Sequence, residues 1–119
     1  MQPCPCGSGR VYGACCGPFH DGAPAPTAEA LMRSRYSAYV LGRFDYVFRT
    51  WHPRTRPDDL AADPGLTWTG LEVVRTEGGG PDDATGVVEF RASFRTAAGA
   101  DVLHEVSRFE RRGGRLVYA

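Results

Sequence analysis

Cysteine occupies positions 4, 6, 15 and 16 of the 119-residue chain and none of the rest. The spacing, C-x-C-x8-C-C, packs every thiol of the protein into one short N-terminal stretch. Four thiolates held tetrahedrally at about 2.3 Å from a metal are the ligand set of structural zinc, and a closed four-sulfur site leaves no coordination position for a substrate. Gly7 and Gly9 let the chain reverse and offer backbone N–H groups to the sulfurs, and Arg10 brings positive charge toward them. Adjacent side chains point apart in an extended chain, so Cys15 and Cys16 can share one ion only in a tight turn. A redox pair, four free thiols, or His20 standing in for one of the last two ligands are the alternatives, and thiolates bind iron as well as zinc.

A second group of residues could do chemistry inside a folded domain. Arg35, Tyr39, His52, His104 and Glu105 are the polar candidates for a pocket, with Trp51, Trp68, Phe90 and Phe109 as apolar walls. Glu105 alternates with Leu103 and Phe109, so a desolvated carboxylate acting as general base is one reading. A buried ion pair with Arg35 or Arg91 is the reading we favour. His52 is the other acid/base candidate, although a histidine before Pro53 more often closes a helix end. His104 and Glu105 are neighbours in a strand and face opposite sides, so they cannot form a dyad. No Ser-His-Asp set, phosphate loop or catalytic metal pattern appears.

These side chains need elements to position them. Residues 1–22 are rich in Gly, Pro and Cys, lack periodicity and require a staple, and "DGAPAP" links them to a main domain over 23–119. Thr27 as N-cap, Glu29 in the first turn and Gly42 as stop predict a helix over 28–41. Ala28, Leu31, Met32, Tyr36, Tyr39 and Val40 form its apolar stripe, Arg33, Ser34 and Ser37 lie on the other side, and Arg35 falls at the stripe's edge. Phe44, Val47, Phe48 and Trp51 predict a second helix ending near "HP", and "RPDDLAAD" could add one short helical turn. From Leu66 the period changes to that of strands, with a bulge at Gly70 and with Val88, Phe90, Ala92 and Phe94 on one face. "GGGPDDA", "AAGA" and "RGG" read as hairpin loops, and "RLVYA" as a last strand. Helices followed by an antiparallel sheet make an α+β domain.

Composition narrows the function. Fourteen basic residues balance fourteen acidic ones, so the electrostatic footprint of a DNA-binding protein is missing. Every basic residue is arginine, and lysine, asparagine and isoleucine are absent, a pattern of GC-rich coding rather than of phosphate recognition. No apolar run approaches the roughly 18 residues of a membrane span, and the N-terminus has no signal-peptide pattern, so a cytoplasmic location is expected. A reducing cytoplasm turns clustered cysteines toward metal.

"CPCGSGRVYGACCG" resembles the SEC-C motif, a metal-binding module known from the SecA translocation ATPase: C-x-C-G-S-G, an aromatic, here Tyr12, and then C-C or C-H. The resemblance implies metal roles for Cys15 and Cys16 beside Cys4 and Cys6. "CCGPFHDGAPAPTAEALMRSRYSAYVLGRFDYVFRTWHP" and "LHEVSRFERRGGR" resemble the YchJ family of small bacterial proteins, UPF0225, over essentially the whole chain. That resemblance implies an NTF2-like cone: N-terminal helices packed on a strongly curved antiparallel sheet, preceded by the metal-stapled knuckle. Some relatives carry a second SEC-C copy, whereas no cysteine follows Cys16 here. The similar SecA module contacts the SecB chaperone and ribosomes, which implies an accessory role in protein–protein interaction with a nascent-chain, ribosome or secretion-chaperone partner. The alternative is small-molecule binding or acid/base catalysis in the cone, since the NTF2-like scaffold hosts both.

Overall fold

The structure, a computed structural model, describes residues 2–119. A 3-10 turn, Tyr12–Ala14, and a short helix α1, Gly17–His20, follow the first cysteines. Then come α2, Ala28–Leu41, and α3, Phe44–Arg49. Four strands, β1 Thr67–Gly78, β2 Thr85–Thr96, β3 Gly99–Arg112 and β4 Arg115–Tyr118, form an antiparallel meander in sequence order. The α+β architecture expected from the helix-then-strand order is what the chain adopts.

Helix α2 begins where Thr27 Oγ1 accepts from the Ala30 amide at 3.1 Å and ends at Gly42, whose φ of 74° only glycine adopts freely. Its apolar stripe packs Ala28, Leu31, Met32 and Tyr36 against Val88, Phe90 and Ala92 of β2 and Phe109 of β3. The opposite side is not left open to solvent: Ser37 is fully buried beneath the cysteine knuckle, and Ser34 is fully buried beneath His20 of α1 and Tyr46 of α3. Residues 17–26 are therefore more than a tether, since α1 packs the knuckle onto α2 through buried His20. The start of α2 sits on the β1–β2 hairpin, where the Ala28 amide donates to Gly79 O at 2.8 Å.

Two helical expectations are corrected. Helix α3 stops at Arg49, because Thr50 Oγ1 turns back onto the Tyr46 and Val47 carbonyls and Trp51 leaves the helix to bridge Tyr118 of β4 in parallel. "RPDDLAAD" is irregular: Leu60 is its one side chain packed on the core, so a helix there would bury no face. In the sheet, the register slips at Gly70 as predicted and again between Val73 and Arg75. Such bulges bend a strand and increase its twist.

Candidate functional site

The knuckle is a small hairpin closed on itself. Cys4 N donates to Arg10 O at 2.8 Å and Tyr12 N to Gln2 O at 2.9 Å, and Gly7 and Gly9 take φ values of 79° and 84° in the reversal. The 3-10 turn bonds Cys15 N to Tyr12 O at 3.0 Å and supplies the tight turn that adjacent ligands require. All four sulfurs lie within 4.8 Å of one another, with Cys6 and Cys15 Sγ at 3.6 Å and Cys15 and Cys16 Sγ at 4.0 Å. Sulfurs about 2.3 Å from a tetrahedral ion are about 3.8 Å from each other. A disulfide would need about 2.05 Å, and all four thiols are free and buried. The donor set and its spacing fit one tetrahedral cation.

Polar groups surround the sulfurs. Ser8 Oγ lies 3.1 Å from Cys15 Sγ, Arg10 Nη2 donates to the same sulfur at 3.8 Å, and Ser37 Oγ of α2 donates to Cys16 Sγ at 3.3 Å. Each disperses thiolate charge in a buried place. The thiols polarise one another: the neighbouring Cys16 thiol pulls the Cys6 pKa down to about 4, while Cys6 and burial push Cys16 up. A cation takes the place of such shared protons.

His20 is not among the clustered ligands. Its Nε2 lies 2.8 Å from the Ser34 carbonyl and must donate to it, which leaves Nδ1 to accept from the Tyr12 hydroxyl at 2.6 Å. The ring also packs on Tyr46 at a centroid distance of 4.6 Å, and burial pulls its pKa down. Arg33 Nη1 bonds Cys6 O at 2.8 Å and Arg49 Nη2 bonds His20 O at 2.7 Å. Knuckle and helices are clasped from both sides.

A cavity of about 250 Å³ lies between α2 and the sheet, away from the cysteines. Of the residues expected there, Arg35, Tyr39, Trp51, Trp68, Phe90 and Glu105 line it. Phe109 does not: it is fully buried core, its ring 5.8 Å from that of Tyr118. His52 lies outside, with Nε2 3.1 Å from Glu110 Oε1 and Nδ1 accepting from the Arg54 amide. His104 is on the outer face, 2.6 Å from Glu89. Met32, Tyr36, Ala92, Leu103, Ser107 and Tyr118 complete the walls. Ser107 was legible by alternation with Glu105, whereas Tyr118 gives no local sign, because its place depends on β4 meeting Trp51.

The expected ion pair of Glu105 with Arg35 or Arg91 is not formed. Arg91 sits on the outer face with Glu72, 3.4 Å away. Arg35 Nη1 donates to Val47 O at 3.0 Å and Thr50 Oγ1 at 2.7 Å, at the end of α3, and its guanidinium lies 5.1 Å and 4.6 Å from the ring centroids of Trp51 and Tyr118. Burial pulls the Arg35 pKa down. Glu105 Oε2 instead accepts from the hydroxyls of Ser107 and Tyr118.

A curved antiparallel meander holding two helices and a cavity, with a four-cysteine knuckle in front, defines an NTF2-like α+β domain joined to a SEC-C-type motif. The family models agree: residues 27–119 match the YchJ middle NTF2-like domain and residues 2–18 the SEC-C motif. The chain belongs to the UPF0225 family. It is 58% identical to a UPF0225 protein of Streptomyces coelicolor over 98% of this chain and 92% of that one. With a UPF0225 protein of Chromobacterium violaceum the identity is 53%, over 97% and 88%. The solution structure of a SEC-C motif containing protein from Rhodopseudomonas palustris superposes with a TM-score of 0.83 at 36% identity, covering 98% of this chain and 94% of that one. A crystal structure of a SEC-C motif containing protein from Psychrobacter arcticus gives 0.78 at 33%, covering 99% and 79%.

Proposed function

We propose that the protein binds a small organic molecule in the cavity between α2 and the sheet, while a structural metal, zinc by its ligand set, locks the knuckle onto the other side of the same helix. The observation that carries this reading is the cavity itself: about 250 Å³, walled by aromatic rings, with polar groups of Arg35 and Glu105 on its lining. Ligand sites have this make-up, a concave apolar wall with a few placed polar groups. Any acid/base chemistry would rest on Glu105, the one carboxylate on that lining among the described residues. Thiols kept reduced for metal suit the cytoplasm, where we place the protein. No helix of the described residues is long and apolar enough to cross a membrane.

Two measurements test this. In native mass spectrometry of untagged protein purified without added metal, one zinc per chain is expected; a metal-free chain four protons light would mean disulfides and remove the clasp. In a two-dimensional 1H–15N NMR titration with phenol, the indole N–H signals of Trp51 and Trp68 should shift. Phenol leaving both unmoved at millimolar concentration would remove the ligand-binding reading.

A protein partner, a ribosome or a SecB-like chaperone, is the second proposal. What favours it is orientation: the sulfurs are buried while Gly7, Gly9, Arg10, Gly13 and Ala14 form an exposed outer loop surface. Ribosome pull-down should be lost in Cys15→Ser; capture that survives metal loss would discard a knuckle-borne partner.

A further inference from the structure

The cavity has two open valences of opposite sign. Arg35 is only 4% exposed, and no carboxylate oxygen of the described residues lies within 4.0 Å of its guanidinium. A buried charge is costly unless it is paired. Nη1 is used by Val47 O and Thr50 Oγ1, but Nε and Nη2 make no hydrogen bond among the described residues. The side chain that carries them is part of the lining of the cavity. Glu105 is the counterpart: both hydroxyl donors converge on Oε2, and Oε1 accepts no hydrogen bond among the described residues.

We infer that the cavity takes a small aromatic carboxylate that carries a hydrogen-bond donor, with its carboxylate on Nε and Nη2 of Arg35 and its donor on Oε1 of Glu105. The inference rests on the ligand-binding reading above and adds the chemical class. A carboxylate is the group that matches the guanidinium fork. The donor is needed because a ligand with only a negative end would enter the field of Glu105 unanswered. Tyr36, Tyr39, Trp51, Trp68 and Phe90 supply ring faces and edges for a flat apolar body. Since a cavity of about 150 Å³ holds benzene, this one holds about ten non-hydrogen atoms, the size of a hydroxybenzoate.

The test is calorimetric titration of the reduced, metal-loaded full chain with the ortho, meta and para hydroxybenzoates, the matching hydroxybenzamides and benzoate. NMR shifts at Trp51 and Trp68 locate the binding. At least one hydroxybenzoate should bind about tenfold or more tightly than its amide and more tightly than benzoate. Arg35→Gln should erase the preference for carboxylate over amide. Because that variant also strips donors from Val47 O and Thr50 and can fail to fold, Glu105→Met is the companion: it should erase the advantage over benzoate and keep the preference over amide. Amides that bind as well as acids, or shifts that miss both tryptophans, would overturn the inference while phenol binding kept the ligand reading. Failure of every probe, phenol included, would overturn both.

Discussion

The Ser37 hydroxyl, on the side of α2 that looks polar and surface-facing in sequence, donates to Cys16 Sγ at 3.3 Å and lies 3.5 Å from Cys4 Sγ. One buried side chain therefore connects the sulfur cluster to the helix whose other side walls the cavity. Ser37→Ala should lower stability by about 1 to 3 kcal/mol in urea unfolding of the metal-loaded protein, the range for a hydrogen bond to a charged acceptor. After chelation under reducing conditions the penalty should shrink, because a neutral thiol is a weaker acceptor. Equal penalties in the two states would show that Ser37 serves helix packing alone.

His20 joins the two halves without touching metal. His20→Ala removes the donor to Ser34 O and the acceptor for the Tyr12 hydroxyl, and it empties the space against Tyr46. The expected cost is about 2 to 4 kcal/mol, from unsatisfied buried groups and a cavity together. Metal content per folded chain, read by elemental analysis, should stay at wild-type level; a stoichiometric loss would make the imidazole a ligand after all.

The seat of α2 on the β1–β2 hairpin depends on two glycines without side chains. A Cβ at Gly79 would lie 2.5 Å from Ala28 Cβ, at a φ of 73°, and one at Gly86 would lie 2.5 Å from Gly79 Cα. Either alanine substitution should cost about 2 to 4 kcal/mol by thermal or urea unfolding, since the obstacle is backbone or a short side chain that cannot swing away. Gly70→Ala is the control: a Cβ there meets nothing within 4 Å, and a change of no more than about 0.5 kcal/mol is expected. A mild Gly86→Ala would show that the hairpin and helix can separate.

Local chemistry explains which features were legible. Thr27 and Gly42 bound α2 because capping is written in neighbouring residues, and the alternation in β2 and β3 placed Glu105 and Ser107 on the inner face. What failed depended on long-range packing. Ser34 and Ser37 read as outward because hydroxyls normally are, but the knuckle covers Ser37, and His20 and Tyr46 cover Ser34. Trp51 fits the helical period of α3, yet its bridge to Tyr118 wins. Arg35 and Glu105 look like an ion pair by type, and each found hydroxyl or carbonyl partners that spacing could not reveal.

Tyr118 is where those partners meet. Its ring lies 4.6 Å from the Arg35 guanidinium and its hydroxyl donates to Glu105 Oε2 at 3.1 Å, so two substitutions separate the roles. Tyr118→Phe keeps the ring and removes one donor to a carboxylate that retains Ser107, and should cost about 1 kcal/mol. Tyr118→Leu also removes the aromatic face from Arg35 and the edge contact with Trp51, and a further cost of about 1 to 3 kcal/mol is expected. Chemical denaturation of both variants checks the ordering. If Tyr118→Phe proved as damaging as Tyr118→Leu, the hydroxyl bond to Glu105 of β3, rather than the ring against Arg35 of α2, would be what fixes Tyr118 in place.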